Sequence, residues 1–499
     1  MSFDLEPMVL ARRCTEQLLA IRADVVAAEA RHAPLLARRS SLTAPSLRNL
    51  IHYLSLRRHD IRPLQEHLAR LGLSSLGRAE SHTLYSIDAV LHALGALTGL
   101  PVPWPEPSGA PGFDDGPGLL ALHTGALLGP RPGGRGVRIM VTLPAEADLD
   151  RALVFALVAK GMDVARINCA HDDPDRWARM ASTVRDAARS AGRRCLVQAD
   201  LGGPKLRTGP CEREILLREG DVLFLTRDGA PGAPAGLDGE GSPARIACSL
   251  AEALEDVLTG DRVFFDDGKI GGRVEAVDVD AARLRITLAK PAGSHLRADR
   301  GINLPDTELH LPALTGKDRH DLAHVLRFAD IVALSFVEHA SDVAEIDAEM
   351  RRLGEPSQGL VLKIETRRGF ENLPGILLEA IGKRPLGVMI ARGDMAIECG
   401  WERLAEIQEE MLWFCEAAHV PVIWATQVLD RLSRKGLPTR AEVTDAAMGE
   451  RAECVMLNKG PHVLDAMGLL DGILRKMEAH QTKKSPRLRA LSVSELRAG

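Results

Sequence analysis

From residue 136 onward the chain keeps one rhythm: short Val/Ile-rich runs alternate with longer amphipathic stretches. Short apolar runs that end abruptly in charge suit parallel strands buried on both faces. Stretches with apolar residues at helical spacing suit the helices that cover such strands. The runs predict strands over 137–142, 163–168, 195–200, 330–335, 360–365, 386–391, 421–426 and 454–457. Helices are predicted near 148–160, 173–191, 316–328, 340–352, 370–381, 402–418, 440–450 and 463–478. Eight strand–helix units in one chain predict an α/β fold, a closed (β/α)8 TIM barrel formed by 136–204 and 304–480.

The third unit is interrupted by about a hundred residues, far more than a loop needs. They have a β-like alternation of their own at 221–226, 262–265 and 283–288, with Gly and Asp turns between. Residues 205–303 therefore read as an inserted β-barrel lid domain that overhangs the active face of the barrel. Before the barrel, apolar residues recur at helical spacing over 10–25, 47–56, 64–73 and 87–97, which predicts an all-α N-terminal extension over 1–100. Its expected role is packing or oligomerisation; a helix-turn-helix around 71–77 is the alternative. Residues 101–135, opened by Pro101, Pro103, Pro105 and Pro107 and closed by Pro130, Pro132, Gly133 and Gly134, read as a linker with little regular structure. A basic, mobile tail is expected over 481–499.

The 499 residues carry a net charge of -5, which argues against a general nucleic-acid or membrane surface. The start, Met1-Ser2-Phe3-Asp4-Leu5-Glu6, has neither the basic nor the apolar part of a signal peptide. Eight scattered cysteines without a CxxC pair read as reduced thiols. A cytoplasmic protein, without membrane or nucleic-acid partners and assembling as a homo-oligomer, is expected.

If the barrel forms, its strand ends converge on one mouth. Arg166 and Asn168 share a face at the end of the second strand, and Asp200 ends the third. Ser335 ends the fourth, Lys363 and Glu365 the fifth, Asp394 follows the sixth and Thr426 ends the seventh. A single polar strand end is usually structural; six in a row around one mouth point to an enzyme. Glu365 and Asp394 are hard oxygen donors suited to Mg²⁺ or Mn²⁺. Arg166, Arg207 and Lys363 add positive charge. Metal, cations and alignment are the main requirements of phosphoryl transfer. Thr426 could relay a proton.

These motifs resemble the pyruvate kinase family from about residue 136 to 478. The resemblance rests on Asp200-Leu201-Gly202-Gly203-Pro204-Lys205-Leu206-Arg207-Thr208-Gly209, on Asp266-Asp267-Gly268, on Gly301-Ile302-Asn303-Leu304-Pro305 and on Leu311-Pro312-Ala313-Leu314-Thr315-Gly316-Lys317-Asp318. It continues in Lys363-Ile364-Glu365, Ala391-Arg392-Gly393-Asp394, Ala425-Thr426-Gln427 and Pro438-Thr439-Arg440-Ala441-Glu442, all in the family's order. It implies glycolytic transfer of a phosphoryl group from phosphoenolpyruvate to ADP, giving pyruvate and ATP. Glu365 and Asp394 would bind the divalent metal, and Lys363 would stabilise the phosphoryl group in flight. Arg166 and Arg207 would meet the substrate phosphate, with Ser335 and Gly393 at the same mouth. Thr426 would lie on the proton-delivery side. Asn168 and His171 would face the nucleotide phosphates, Pro144 the base, and Arg300 stands where the family usually has a lid lysine.

The departures carry information too. The family's monovalent-cation positions read Asn168, Ala170, Asp200 and Leu201, so two side-chain ligand types are missing. Lys205 stands where the potassium-dependent branch has Glu, and its ammonium can supply the charge that K⁺ would bring. With Asp200, Lys205 is the expected monovalent-cation substitute, and K⁺ is not expected to be required. Glu338 replaces a usual basic residue, the first strand is one Gly shorter at Leu143-Pro144, and Asn458-Lys459-Gly460-Pro461 replaces the family's Ser-Gly-Glu-Thr loop. Two other readings remain open at this point: a metal-dependent lyase or decarboxylase acting on a pyruvate enolate, and a weakly active relative with a regulatory or binding role.

Overall fold

The computed structural model describes residues 7–102, 109–237, 242–354, 357–483 and 485–486. The expectations for 1–6, for Pro103 to Pro107, for Lys484 and for the tail beyond Pro486 lie outside the described residues. Eight parallel strands close the barrel: β1 (Arg138–Thr142), β2 (Val164–Asn168), β3 (Leu196–Asp200), β4 (Ile331–Leu334), β5 (Gly359–Ile364), β6 (Leu386–Ala391), β7 (Val422–Ala425) and β8 (Cys454–Leu457). Each pairs with its neighbour in chain order, and β8 closes on β1. Every residue of these strands is buried except Arg166 and Asn168 on β2, which are half-buried. Strands covered on both faces have to be apolar throughout, which is why they stand out as runs and not as alternations.

The strand limits fall within one residue of those predicted, so Ser335, Glu365 and Thr426 lie just past their strands. The helix expected over 370–381 divides into Arg367–Glu371 and Leu373–Ala380, with Pro374 at the start of the second, where a missing N–H costs nothing.

The 101–135 stretch is more ordered than its Pro and Gly content predicts. A helix over Asp115–Leu128 crosses the open end of the barrel at the strand starts. Its Leu127 and Leu128 pack with Met140, Val164, Val361, Met389 and Ile423 from the barrel interior. A Cβ on Gly359 or Gly387 would lie 2.4 Å from Leu127, so glycine at these two strand positions makes room for the plug. Tertiary burial, not propensity, sustains this helix, and composition alone could not reveal it.

The N-terminal region is helical as predicted. Its longer helices, α1 (Pro7–Arg31), α2 (Ala44–Leu56) and α3 (Thr83–Thr98), share an apolar core built around Leu18, Val25, Leu68 and Leu91. Buried polar groups fasten it to the barrel. The Asn49 side chain donates to the carbonyls of Glu80 (2.7 Å) and Ala417 (2.8 Å) and accepts from the amide of Thr83 (2.8 Å). His419, fully buried, has Nε2 2.8 Å from the Ser81 carbonyl and Nδ1 3.0 Å from Ser46 Oγ. A carbonyl only accepts, so Nε2 carries the hydrogen and Nδ1 accepts from Ser46, which is the neutral ring.

After β3 the chain leaves the barrel and returns before β4. In between, six strands form a mixed sheet in the order Ile302–Asn303, Arg262–Phe265, Ile270–Val277, Ala281–Leu288, Val222–Thr226 and Ala244–Ala247. They enclose a second core around Phe265, Leu223 and Ile286. The outgoing and returning segments run side by side as a hinge, with Arg207 bridged to Gly301 and the Ile302 amide donating to Leu206 O at 2.9 Å. No helix among the described residues is long and apolar enough to cross a membrane.

Burial pushes the His419 ring down to about 4, and its bond to Ser81 only partly opposes this. The unfolded chain therefore binds a proton that the native chain refuses between its ordinary value of 6.5 and about 4, so stability falls as pH drops through that window. The loss should reach on the order of 3 kcal/mol near the lower limit. Urea midpoints between neutral pH and the lower end of that window should fall more steeply for the natural chain than for His419→Gln; equal slopes would contradict this role.

Candidate active site

The ends of β2, β3 and β5 carry one linked set of buried charges. Register places Arg166 beside Gln198 and Asn168 beside Asp200 across β2 and β3. Arg166 donates through Nε to Asp200 Oδ2 (2.8 Å) and through Nη1 to Thr142 Oγ1 (3.0 Å). Gln198 donates to Asp200 Oδ1 at 2.7 Å. Lys363 Nζ lies 3.6 Å from Asp200 and 3.4 Å from Glu365 Oε1, and donates to Ser335 Oγ at 2.7 Å. Ser335 in turn donates to the Leu201 carbonyl at 2.8 Å. Burial opposes the charge on Asp200, yet Arg166, Lys363 and Gln198 outweigh it and hold its pKa below the usual carboxylate range.

Glu365 is pushed the other way. Burial raises its pKa, Lys363 opposes the rise, and the nearby Asp394 charge adds to it. Its Oε2 accepts from the Phe336 amide at 2.8 Å. Asp394 sits in the first turn of α4 (Arg392–Cys399), a short helix that the sequence reading did not anticipate. Lys205 reaches it from the hinge, with Nζ 2.9 Å from both carboxylate oxygens. Asp200 and Lys205, expected to act together, thus have separate partners: Asp200 is tied to Arg166, Gln198 and Lys363, and Lys205 to Asp394.

Around this centre the other predicted residues spread out. Gly393 faces Thr426: a Cβ there would stand 3.9 Å from its side chain. Thr426 has φ +63, a conformation rare for a β-branched residue, and the next residues Gln427 (φ +60) and Leu429 (φ +48) share it. Arg392 holds that turn by donating to the carbonyls of Ala425 and Thr426, while Asp445 pairs with its guanidinium. Thr426 Oγ1 is shielded from solvent and has no hydrogen-bond partner. Asn168 Oδ1 accepts from the Ala170 amide at 3.3 Å. Arg207 pairs with Asp299 (3.2 Å) and Arg300 with Asp266 (3.7 Å), so both are held by lid carboxylates and not by the Lys363 network. His171 lies within electrostatic reach of Arg207 and of Lys459, and desolvation together with these two cations lowers its pKa. Pro144 precedes the short turn of helix at Ala145–Asp148 that follows β1.

Beside Asp394, a cleft of about 620 Å³ opens between the lid's return segment and the loops after β4 and β5; Lys205, Glu338 and Glu398 also line it. Burial raises Glu338 despite its bond to Thr366. Two residues in this region were absent from the sequence-based site: Asn303, whose amide reaches Asp394 and Glu398, and Glu398 itself. Spacing could have revealed the second, since it lies four residues beyond Asp394 and so on the same helical face.

A family model described as the pyruvate kinase barrel domain matches residues 134–461, well over half of the chain. The chain belongs to the pyruvate kinase family. The pyruvate kinase of Mycobacterium tuberculosis is 33% identical over 357 residues, 70% of this chain and 71% of that one. The pyruvate kinase of Geobacillus stearothermophilus is 33% identical over 329 residues, 65% of this chain; the match spans about half, 53%, of the relative's own length. Among solved structures, a pyruvate kinase from Cryptosporidium parvum superposes with a TM-score of 0.62 at 28% identity, covering 69% of this chain and 70% of that one. The family match takes in the eight barrel strands, their strand-end residues and the whole inserted domain, but neither the helices before residue 134 nor the last barrel helix, Val463–Glu478.

Proposed function

We propose that this chain transfers the phosphoryl group of phosphoenolpyruvate to ADP, giving pyruvate and ATP, with a divalent cation. The observation that carries the reading is Lys363. Its ammonium is buried at the mouth and fixed by Ser335, Asp200 and Glu365, and the charge of Asp394 on α4 reaches Glu365. A fixed cation in a water-poor pocket is what a phosphoryl group needs as charge spreads over its oxygens.

Glu365 and Asp394 would hold Mg²⁺ or Mn²⁺. They are hard oxygen donors; burial first, and then the charge of Asp394, raise the Glu365 pKa. Among the described residues no group of three or more His, Cys, Asp or Glu could build an all-protein cage. Two carboxylates suit a cation that keeps water and substrate oxygens as its remaining ligands. When bound, it would neutralise charge on the phosphoryl donor and hold it in line. Arg166 presents a guanidinium already oriented by Asp200 and Thr142, and Arg207 adds a second at the rim. The unpartnered Thr426 hydroxyl, kept in place by Arg392, can carry a proton to the enolate carbon. Asn168 and His171, with Arg300 on the lid, take the nucleotide side, where Lys459 adds a cation in place of the family's acidic loop. The lid, hinged beside Asp394, screens the centre from water.

Potassium is not part of this reading. Ala170 and Leu201 offer no side-chain oxygen, and the Lys205 ammonium already supports Asp394.

Purified chain given phosphoenolpyruvate, ADP and Mg²⁺ should form pyruvate, and Lys363→Met should lower kcat by a factor on the order of a hundred or more. Pyruvate formation that the substitution leaves untouched would remove the assignment. Rates in sodium-only and potassium buffers should agree to within about twofold, because the Lys205 ammonium is built in. Strong activation by potassium would refute the second claim and leave the first intact.

A further inference from the structure

Both strands of the hinge send a side chain to Asp394. Lys205 comes from the outgoing segment and Asn303 from the returning one. The Asn303 amide nitrogen stands 3.4 Å from Asp394 Oδ1 and 3.0 Å from Glu398 Oε1. Its two hydrogens match these two acceptors, and Asn303 is 5% exposed, so little water competes for them. Glu398 decides which way round the amide sits. Burial raises the Glu398 pKa to about 7, and above that pH its ionised carboxylate only accepts, so it selects the nitrogen; reversed, the amide would turn its oxygen toward two carboxylates. Glu398 and Asp394 are four apart on α4 and share a face. The lid hairpin also rests on this helix: a Cβ on Gly268 would lie 2.7 Å from Ile397 Cδ1.

We propose that Asn303 and Glu398 are positioning residues for the Asp394 carboxylate: Glu398 orients the Asn303 amide, and Asn303 fixes Asp394 Oδ1 for a divalent cation. The aim of that carboxylate is thereby tied to the hinge that carries the lid. Neither residue is a metal ligand. The inference rests on the reading of Glu365 and Asp394 as the cation's ligands. Hydrogen-bond partners standing behind a ligand fix its orientation, and losing one typically costs about 10–100-fold in metal affinity.

The test is a Mn²⁺ titration of the full chain without substrate, following free Mn²⁺ by electron paramagnetic resonance. Melting temperatures are measured alongside. Asn303→Leu, similar in size but with no donor, should weaken Mn²⁺ binding about tenfold. Asn303→Ser, smaller and easier to accommodate, should change it in the same direction. Glu398→Gln should also weaken binding. The double variant Asn303→Leu with Glu398→Gln should be no weaker than Asn303→Leu alone, because Glu398 acts through the amide. A simple loss of charge at Glu398 would instead add to the first effect, and additive losses would overturn the orienting role. Asn303 variants that keep Mn²⁺ affinity within twofold of the natural chain, while folded, would overturn the proposal and leave the cation site standing. Absence of Mn²⁺ binding in the natural chain would overturn both.

Discussion

A carboxylate that is completely buried has to be balanced inside the protein, and Asp200 is such a group. Arg166, Gln198 and Lys363 surround it, drawn from three different strands. Leaving a buried charge without its partner costs about 3–5 kcal/mol, so the strands that bring these partners have little freedom to slip. The parallel register of β2 on β3 places Arg166 and Gln198 together just below Asp200. The same closure leaves Lys363 between Asp200 and Glu365, with its ammonium held by a serine that is itself held by a backbone carbonyl. The charges at the mouth are therefore tied to one another by the protein itself, and charges held in this way are the kind that act on a reacting group without first having to reorganise.

The two ends of the barrel solve different problems. At the strand starts the need is to exclude water, and the helix Asp115–Leu128 does so with leucines set against two strand glycines. At the strand ends lie the buried charges, and the inserted domain stands over them with Lys205 and Asn303 reaching Asp394. Barrel enzymes in general keep stability at the first face and chemistry at the second. Here the second face has one junction that gathers several demands. The short helix α4 carries Asp394, supports the Thr426 turn through Arg392 and bears the lid tip on Ile397.

The strands were legible because burial on both faces leaves no freedom of pattern, and the polar strand ends followed from the strands. Lys363, Glu365, Ser335, Asp200 and Arg166 could be named because they interrupt apolar runs. The plug helix was hidden by Gly116, Pro117 and Gly118, whose usual meaning is a break; its stability comes from the barrel it closes. Lys205 stood out against the family resemblance, where the potassium-dependent branch has Glu, but its partner is Asp394, nearly two hundred positions away, which pattern cannot supply. Asn303 appears in the sequence only as part of a return motif; the i,i+4 spacing puts Glu398 on the same face as Asp394, but the hydrogen bond that joins the two residues crosses between distant segments and no pattern shows it. The docking of the N-terminal helices through Asn49 and His419 was equally beyond pattern: isolated polar residues gain meaning only from what they are buried against.

The central claim is that one phosphoryl group moves from an enol phosphate to a nucleoside diphosphate at the Lys363 centre. A phosphorus NMR time course with phosphoenolpyruvate, ADP and Mg²⁺ observes that transfer itself. The account predicts that the phosphoenolpyruvate resonance decays while the γ-phosphorus of ATP grows in equal measure. Phosphorus that remains on phosphoenolpyruvate, or that is released as inorganic phosphate, would contradict it.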